Sequence, residues 1–250
     1  MNYSIKEMPC KSENNTIFGV MYLPAETTRN IPAVILSHGY NSSYSHVTDI
    51  AGMLAENGIG AYCYDFCGGS VLSKSGGSST DMSVMTEQED LKNVIRMIKT
   101  CGFADNERIF LYGESQGGFV SALTAAEMPA DIAGMVLLYP AFCIPDNWLT
   151  KAPEDITETL DFMGMTLSDK FYREVPRYDV YEHIAAFDKP VLVFHGTSDT
   201  LVDISYSKRI CKAFPNCTLD VYENEGHGFS PEARRTVCEK TADFFAKLSL

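Results

Sequence analysis

Long apolar runs are missing from the sequence, and its first residues do not have the pattern expected of a leader segment. No stretch of its 250 residues approaches the roughly 18 consecutive apolar residues that a membrane-spanning helix needs. The first seven residues, Met1 to Glu7, contain neither the basic region nor the apolar region of a secretory signal. We therefore expect a cytoplasmic protein with no membrane partner.

Positive charge is also scarce. The chain has 20 Lys and Arg residues against 33 Asp and Glu residues, which gives a formal net charge of −13. Nucleic acids and anionic membrane surfaces are bound through basic patches, so neither is expected as a partner. A neutral or weakly charged small molecule is the more compatible ligand.

Closely spaced cysteine pairs are absent as well. The 8 cysteines are scattered along the chain without a C-x-x-C motif. A zinc site needs clustered Cys and His ligands, so we expect no metal and no cofactor. In a cytosolic chain of this size, all the cysteines are expected to be reduced.

The sequence does contain a regular alternation of short apolar segments with amphipathic ones. We predict strands at 33–36, 59–66, 108–112, 134–139, 190–194 and 218–222, and helices at 49–57, 85–100, 118–126, 203–214 and 231–248. Residues 3–11 and 16–23 are predicted to be two strands joined by a turn at Asn14-Asn15. This order predicts an α/β fold with a mostly parallel sheet and helices on both faces.

Residues 140–188 interrupt the alternation. They contain Trp148, which is the single tryptophan of the chain, and several other aromatic side chains and prolines, including Pro153. An insertion of this length is too long for a simple connection. We interpret it as a lid subdomain with short helices, inserted into a core formed by 1–139 and 189–250. Whether its aromatic residues face a site or only build a small satellite core is left open.

The pentapeptide Gly113-Glu114-Ser115-Gln116-Gly117 lies between a predicted strand and a predicted helix. A serine at such a sharp turn is exposed above the edge of the sheet, where it can act as a nucleophile. Flanking glycines allow the strand and the helix to approach closely. Ser115 is therefore the predicted nucleophile.

A serine hydroxyl needs a base and an orienting acid to become reactive. In chains with this elbow, the acid and then a histidine follow the serine along the sequence. Asp199 and His227 satisfy that order, and each comes just after a predicted strand. The alternatives are weaker, because Asp203 is better placed as a helix N-cap and His195 precedes the acid.

Backbone N–H groups are predicted to stabilise the negative charge that develops on the reacting carbonyl. They are those of Gln116, next to the nucleophile, and Tyr40, which follows His38-Gly39 at the end of an early strand. Read alone, His38-Gly39 favours a plain turn, in which Gly39 serves only the backbone conformation and His38 packs or caps the loop.

Taken together, His38-Gly39-Tyr40, the Ser115 pentapeptide, His195-Gly196-Thr197-Ser198-Asp199 and Gly226-His227-Gly228 resemble the α/β-hydrolase family. Further segments, among them 64–70 and 81–86, are similar to bacterial cinnamoyl and feruloyl esterases. The resemblance implies an α/β-hydrolase fold and release of hydroxycinnamic acids from plant-wall sugar esters. It also implies a lid whose polar and aromatic groups grip the phenolic ring, with Asp146 and Tyr172 as the gripping pair and Trp148 as a wall. Where such enzymes often have Phe after the H-G pair, this chain has Tyr40.

Other functions stay open at this stage. A broad short-chain esterase or a thioesterase would use the same three side chains, and the lid sequence does not fix the size of the acyl group. A peptidase of this type usually carries a large additional domain, for which 250 residues leave no room. A non-catalytic binding protein would usually lack one of the three residues. The sequence also leaves a homodimer open.

Overall fold

The computed structural model describes residues 2–12, 14–26, 30–150 and 159–250. The strands in these ranges are β1 (Tyr3–Glu7), β2 (Cys10–Ser12), β3 (Asn15–Ile17), β4 (Gly19–Pro24), β5 (Ile31–Ser37), β6 (Gly60–Tyr64), β7 (Ala104–Glu114), β8 (Gly134–Leu138), β9 (Thr159–Phe162), β10 (Met165–Ser168), β11 (Val191–Gly196) and β12 (Cys217–Tyr222).

The helices in the same ranges are α1 (Thr48–Glu56), α2 (Val84–Lys99), α3 (Gln116–Glu127), α4 (Ile144–Leu149), α5 (Asp169–Arg173), α6 (Val180–Ile184), α7 (Ile204–Ala213) and α8 (Pro231–Leu248). None of these helices is both long and apolar enough to cross a membrane.

Within the described ranges, eight strands form the central sheet, in the order β1-β4-β6-β5-β7-β8-β11-β12. The six strands from β6 to β12 run parallel to their neighbours, whereas β4 and β1 are added antiparallel at one edge. The predicted fold class, a mostly parallel sheet covered by helices, is confirmed.

The strand sequences explain why both faces of the sheet are covered. In β5, Ala33 and Ile35 pack into one apolar cluster, and Val34 and Leu36 pack into the cluster on the opposite face. Side chains alternate across a strand, so a continuous apolar strand must be buried on both sides. Helices α2, α3 and α7 contribute to the first cluster, and α1 and α8 contribute to the second.

The N-terminal strands differ from the prediction. Each predicted strand is split in two, so that β1 pairs with β4 in the main sheet and β2 pairs with β3 in a separate hairpin. The first split falls at Met8-Pro9, where proline has no N–H to donate to a ladder. Asn15 lies in β3, opposite Ser12, rather than in the turn.

The inserted segment, residues 140–188, contains the expected short helices α4, α5 and α6 and also a β-hairpin that was not predicted. Strands β9 and β10 pair antiparallel across a two-residue turn at Met163 and Gly164, which have φ of 45° and 80°. Such turns require positive φ, and glycine supplies it at little cost. The alternation in Thr159–Phe162, followed by Gly164, is the signal that could have revealed this hairpin. Residues 151–158, including Pro153, lie outside the described residues.

The expectation that every cysteine is reduced is wrong for one pair. Cys211, in the last turn of α7, and Cys217, at the start of β12, form a disulfide with their Cα atoms 5.1 Å apart. The turn between α7 and β12 brings the two residues together, and scattered spacing in the sequence does not show this. The remaining cysteines are free thiols, mostly buried.

Candidate active site

The turn between β7 and α3 forces Ser115 into an unusual backbone conformation, with φ of 52° and ψ of −118°. The chain passes so closely here that side chains are excluded on both sides. A Cβ on Gly113 would lie 2.4 Å from the carbonyl oxygen of Gly117, and a Cβ on Gly117 would lie 2.3 Å from that of His38. The glycines of the pentapeptide are therefore a steric requirement of the turn.

Ser115, His227 and Asp199 meet at the carboxyl ends of the parallel strands. His227 Nε2 lies 3.1 Å from Ser115 Oγ, and its Nδ1 lies 2.7 Å from Asp199 Oδ2. With the proton on Nδ1, the imidazole donates to the carboxylate and can accept the serine proton at Nε2. The three predicted catalytic side chains are thus joined in one hydrogen-bonded chain.

Asp199 is held as a carboxylate by its surroundings. Its side chain is fully buried, and its Oδ1 accepts hydrogen bonds from the N–H groups of Leu201 and Val202, both at 2.9 Å. Burial alone would raise the pKa of Asp199, but hydrogen bonds from His195 and His227 outweigh it and hold that pKa well below the usual range. The acid therefore stays ionised over the whole range in which a histidine can act as base.

The weaker candidates from the sequence have other positions. Asp203 caps α7 by accepting a hydrogen bond from the N–H of Ser205 at 2.8 Å. His195 is fully buried, with Nδ1 2.6 Å from Ser207 Oγ and Nε2 3.4 Å from Asp199 Oδ2. His195 therefore lies beside Asp199. The atom next to the Ser115 hydroxyl is Nε2 of His227.

The loop after β5 is fixed by His38. Its Nε2 accepts a hydrogen bond from the N–H of Phe66 at 3.2 Å, so its proton is on Nδ1, which donates to the carbonyl of Gly39 at 2.7 Å. The ring is 1 % exposed, and burial lowers its pKa, so it is neutral. His38 thus caps the loop.

The two predicted oxyanion donors, the backbone N–H groups of Gln116 and Tyr40, belong to different elements of the fold. Gln116 is the first residue of α3, where N–H groups have no partner within the helix. Tyr40 lies in the loop held by His38, and its hydroxyl donates to the carbonyl of Phe162 in the β9–β10 hairpin at 2.8 Å. Among the described residues, neither backbone N–H donates to another group.

A cavity of about 520 Å³ opens over Ser115 and His227. Its aromatic lining consists of Tyr40, Tyr139, Trp148, Phe162 and Phe171. Its polar lining includes Ser42, His46, Asn147 and Thr200. The inserted segment supplies Trp148, Phe162 and Phe171, so residues of that segment form much of the aromatic wall.

Trp148 lines the cavity, whereas Asp146 and Tyr172 do not. Asp146 Oδ2 instead accepts a hydrogen bond from the Tyr206 hydroxyl at 2.8 Å, and the Tyr172 ring lies 5.4 Å from the Arg177 guanidinium. Their neighbours Asn147 and Phe171 take the places in the lining. Successive residues of a helix point about 100° apart, so an alignment error of one residue turns a side chain away from the site.

Glu114, inside the elbow, was not recognised from the sequence. Its carboxylate is 2 % exposed and accepts hydrogen bonds from Tyr112 at 2.6 Å, Tyr139 at 3.1 Å and Arg234 of α8 at 2.6 Å. The Tyr139 ring in turn packs on the imidazole of His227, with 4.3 Å between ring centroids. Glu114 therefore fixes the wall against which the catalytic imidazole rests.

Replacing Arg234 with Met is expected to lower the free energy of unfolding by about 3–5 kcal/mol, because it leaves the buried carboxylate of Glu114 without its cation. Arg234 is 13 % exposed and also binds Asp49 through two nitrogens. Urea unfolding of the variant measures the loss. The control is Arg235→Met on the exposed side of the same helix, which should change the free energy by less than about 0.5 kcal/mol. Equal unfolding midpoints for the two variants would contradict the role given to Arg234.

No group of three or more metal-ligating side chains occurs among the described residues. A hydroxyl hydrogen-bonded to a base, with two N–H groups that have no partner among the described residues, at the floor of an aromatic-lined cavity, provides the elements of acyl transfer from an ester to water.

Curated proteins of related sequence include monoacylglycerol lipases. ABHD6 of Rattus norvegicus is 22 % identical over 264 residues, covering 87 % of this chain and 76 % of that protein. A putative carbamate hydrolase, RutD of Caulobacter sp. (strain K31), is 33 % identical over 110 residues, or 41 % of each chain.

Solved structures share the fold over almost the whole chain. Est1E from Butyrivibrio proteoclasticus, solved with ferulic acid bound, has a TM-score of 0.89 at 24 % identity and covers 96 % of this chain and 98 % of that chain. DcsB, in complex with its substrate analogue, has a TM-score of 0.78 at 19 % identity, covering 98 % and 99 %.

The sequence model of one family, described as serine aminopeptidase, S33, matches residues 28–173. This range is more than half of the chain, and it includes the loop of His38, the Ser115 elbow and the first part of the inserted segment. With that match and the shared fold, the chain belongs to the serine aminopeptidase S33 family of α/β-hydrolases.

Proposed function

We propose that this protein hydrolyses carboxylic esters of hydroxycinnamic acids through an acyl-enzyme on Ser115. The observation that carries the proposal is the hydrogen-bonded chain Ser115–His227–Asp199 at the floor of an aromatic-lined cavity. A flat conjugated acyl group suits such a cavity, because aromatic rings pack favourably edge to face or offset.

In the first stage, His227 takes the proton of Ser115 as the hydroxyl attacks the ester carbonyl. The N–H groups of Tyr40 and Gln116 hold the resulting oxyanion, and Asp199 stabilises the charged imidazole. Collapse of the tetrahedral intermediate expels the alcohol, which receives its proton from His227. In the second stage, His227 activates a water molecule that releases the acid and frees Ser115.

The aromatic wall supports the choice of acyl group. Trp148 lies with its ring centroid 5.3 Å from that of Phe162 and 4.8 Å from that of Phe171, and Tyr40 lies 5.4 Å from Phe162. These rings form a continuous apolar surface beside the nucleophile. That Est1E, which shares the fold, was solved with ferulic acid bound adds support.

A second candidate is an acylglycerol lipase. Met163 and Leu201 both line the cavity and are 58 % and 55 % exposed, so an apolar path continues from the cavity to the surface. A long acyl chain could follow that path, and the relatives in sequence include monoacylglycerol lipases. The exposed apolar side chains at the cavity mouth are the specific observation that favours this alternative.

A panel of four substrates separates these functions. We expect kcat/KM for methyl ferulate to exceed that for p-nitrophenyl butyrate or monoolein by about tenfold or more, with no cleavage of an aminoacyl anilide. A preference for monoolein would establish the lipase, and turnover of the anilide would establish a peptidase. The variant Trp148→Leu is measured on two of these substrates, and it should raise KM for methyl ferulate much more than KM for p-nitrophenyl butyrate.

The matched control is Tyr181→Leu, which removes an aromatic ring of the same inserted segment. Tyr181 packs on Phe142 and is not part of the cavity lining. The Tyr181→Leu variant should leave the ratio of KM for methyl ferulate to KM for the p-nitrophenyl ester unchanged. Equal effects of the Trp148 and Tyr181 substitutions on that ratio would argue against recognition of the aromatic acyl group by Trp148.

A further inference from the structure

A buried carboxyl group lies directly behind the oxyanion donors. Glu87, in the first turn of α2, is 1 % exposed, and its Oε2 accepts a hydrogen bond from Gln116 Nε2 at 2.8 Å. Gln116 is itself only 3 % exposed. The residue predicted to supply an oxyanion-hole N–H is therefore held through its side chain by Glu87.

The same carboxyl is closed off on its other side. A Cβ on Gly69 would lie 3.2 Å from Glu87 Oε1, so the loop after β6 passes close above this oxygen. Glu87 also acts on Tyr40, whose pKa is raised first by burial and then by the nearby carboxyl. Gln116 thus contacts Glu87 directly, and Tyr40 lies within range of its charge.

No basic side chain forms an ion pair with Glu87 among the described residues. The titratable groups that face it are Asp90 from α2, Tyr40 from the loop after β5 and Tyr64 from β6. At the start of the same helix, Glu174 of the inserted segment binds the hydroxyl of Ser83. The neighbours of Glu87 are thus acidic or neutral.

These surroundings favour the neutral form of the carboxyl. Burial raises the pKa of Glu87 to about 8, opposed by the hydrogen bond from Gln116 and reinforced by the charge of Asp90. The group is therefore mostly protonated at neutral pH and becomes a carboxylate as the pH rises through that value.

We propose that Glu87 is a positioning residue for the oxyanion hole, holding Gln116 while it is neutral and opposing the oxyanion when it is ionised. The inference rests on the proposed ester hydrolysis at Ser115. A negative charge behind the donors repels the negative charge that develops in the transition state, but it acts little on a neutral ground-state ester. Ionisation of Glu87 should therefore lower kcat and leave KM nearly unchanged.

The test is the dependence of kcat on pH for p-nitrophenyl butyrate, corrected for spontaneous hydrolysis. In the wild-type protein, kcat should fall about tenfold between about pH 7 and about pH 9.5, with KM nearly constant. In Glu87→Gln, which keeps a neutral acceptor for Gln116, kcat at about pH 7 should stay within about threefold of wild type and the alkaline fall should disappear. Glu89→Gln, an exposed acid on the same helix, is the matched control and should keep the wild-type profile.

An alkaline fall that persists in Glu87→Gln, or its absence from the wild type, would overturn the proposal. Failure of the proposed function looks different, because the wild type would then turn over no ester at any pH. In that case infrared difference spectroscopy decides the point without turnover. The wild-type minus Glu87→Gln spectrum should show a protonated carboxyl band at neutral pH that is lost on alkalinisation, and a carboxylate band at neutral pH would refute it.

Discussion

Replacing Ser115 with alanine is expected to lower kcat for ester hydrolysis by about a million-fold, to the residual rate that binding and the oxyanion donors alone provide. In the proposed mechanism Ser115 Oγ is the atom that forms the acyl bond, and His227 has no other hydroxyl of the protein within hydrogen-bond distance in the described residues. Initial rates on methyl ferulate or p-nitrophenyl butyrate, whichever the protein turns over, measure the loss. Circular dichroism should show an unchanged fold, because the substitution removes only the hydroxyl and alanine keeps the Cβ of serine at this turn.

The control for this variant is Ser121→Ala, which makes the same change six residues later, within α3. Ser121 is fully buried, and its hydroxyl has no hydrogen-bond partner in the part of the chain that the structure describes. Removing it leaves no buried polar group unsatisfied, so wild-type activity is expected. Retention of more than about 1 % of activity in Ser115→Ala, with a folded protein, would exclude Ser115 as the nucleophile.

Replacing Asp199 with asparagine is expected to lower kcat by about ten-thousand-fold. The carboxylate accepts the Nδ1–H of His227 at 2.7 Å and so selects the tautomer whose Nε2 can take the proton of Ser115. An amide at this position can donate to Nδ1, which would leave the proton on Nε2 and block it as a base. The comparison of kcat at a saturating ester concentration measures this effect.

Asp203→Asn is the matched control, since it makes the same chemical change four residues later. Asn caps helices about as well as Asp, so the cap of α7 should persist and kcat should stay near the wild-type value. If Asp203→Asn were the more damaging of the two, the acid would have been assigned to the wrong residue.

The sequence was sufficient for those parts of the molecule that local pattern and strand order determine. Ser115, Asp199 and His227 each follow a strand of the sheet, and the carboxyl ends of parallel strands lie at one edge. Their convergence therefore follows from the fold class. The helices of the core could also be predicted locally, because their apolar residues recur with the 3.6-residue period of an amphipathic helix.

Contacts between distant segments could not be predicted in the same way. The pairing of Glu114 with Arg234 joins residues 120 positions apart, and nothing local to either residue indicates the other. The hydrogen bond between Glu87 and Gln116 is of the same kind. Buried charges that are paired across the fold are set by tertiary packing, whereas periodicity reports only which face of an element is apolar.

The hydrogen bond from the Tyr40 hydroxyl to Phe162 connects two parts of the site that are usually considered separately. The ring of Phe162 touches the bound acyl group in our proposal, while the main chain of Tyr40 belongs to the reaction centre. An acyl group that fits poorly and displaces the β9–β10 hairpin would also move the backbone N–H of Tyr40 away from the oxyanion. Selectivity among acyl groups would then appear as a lower kcat for the poorly fitting ester, even where its KM is low.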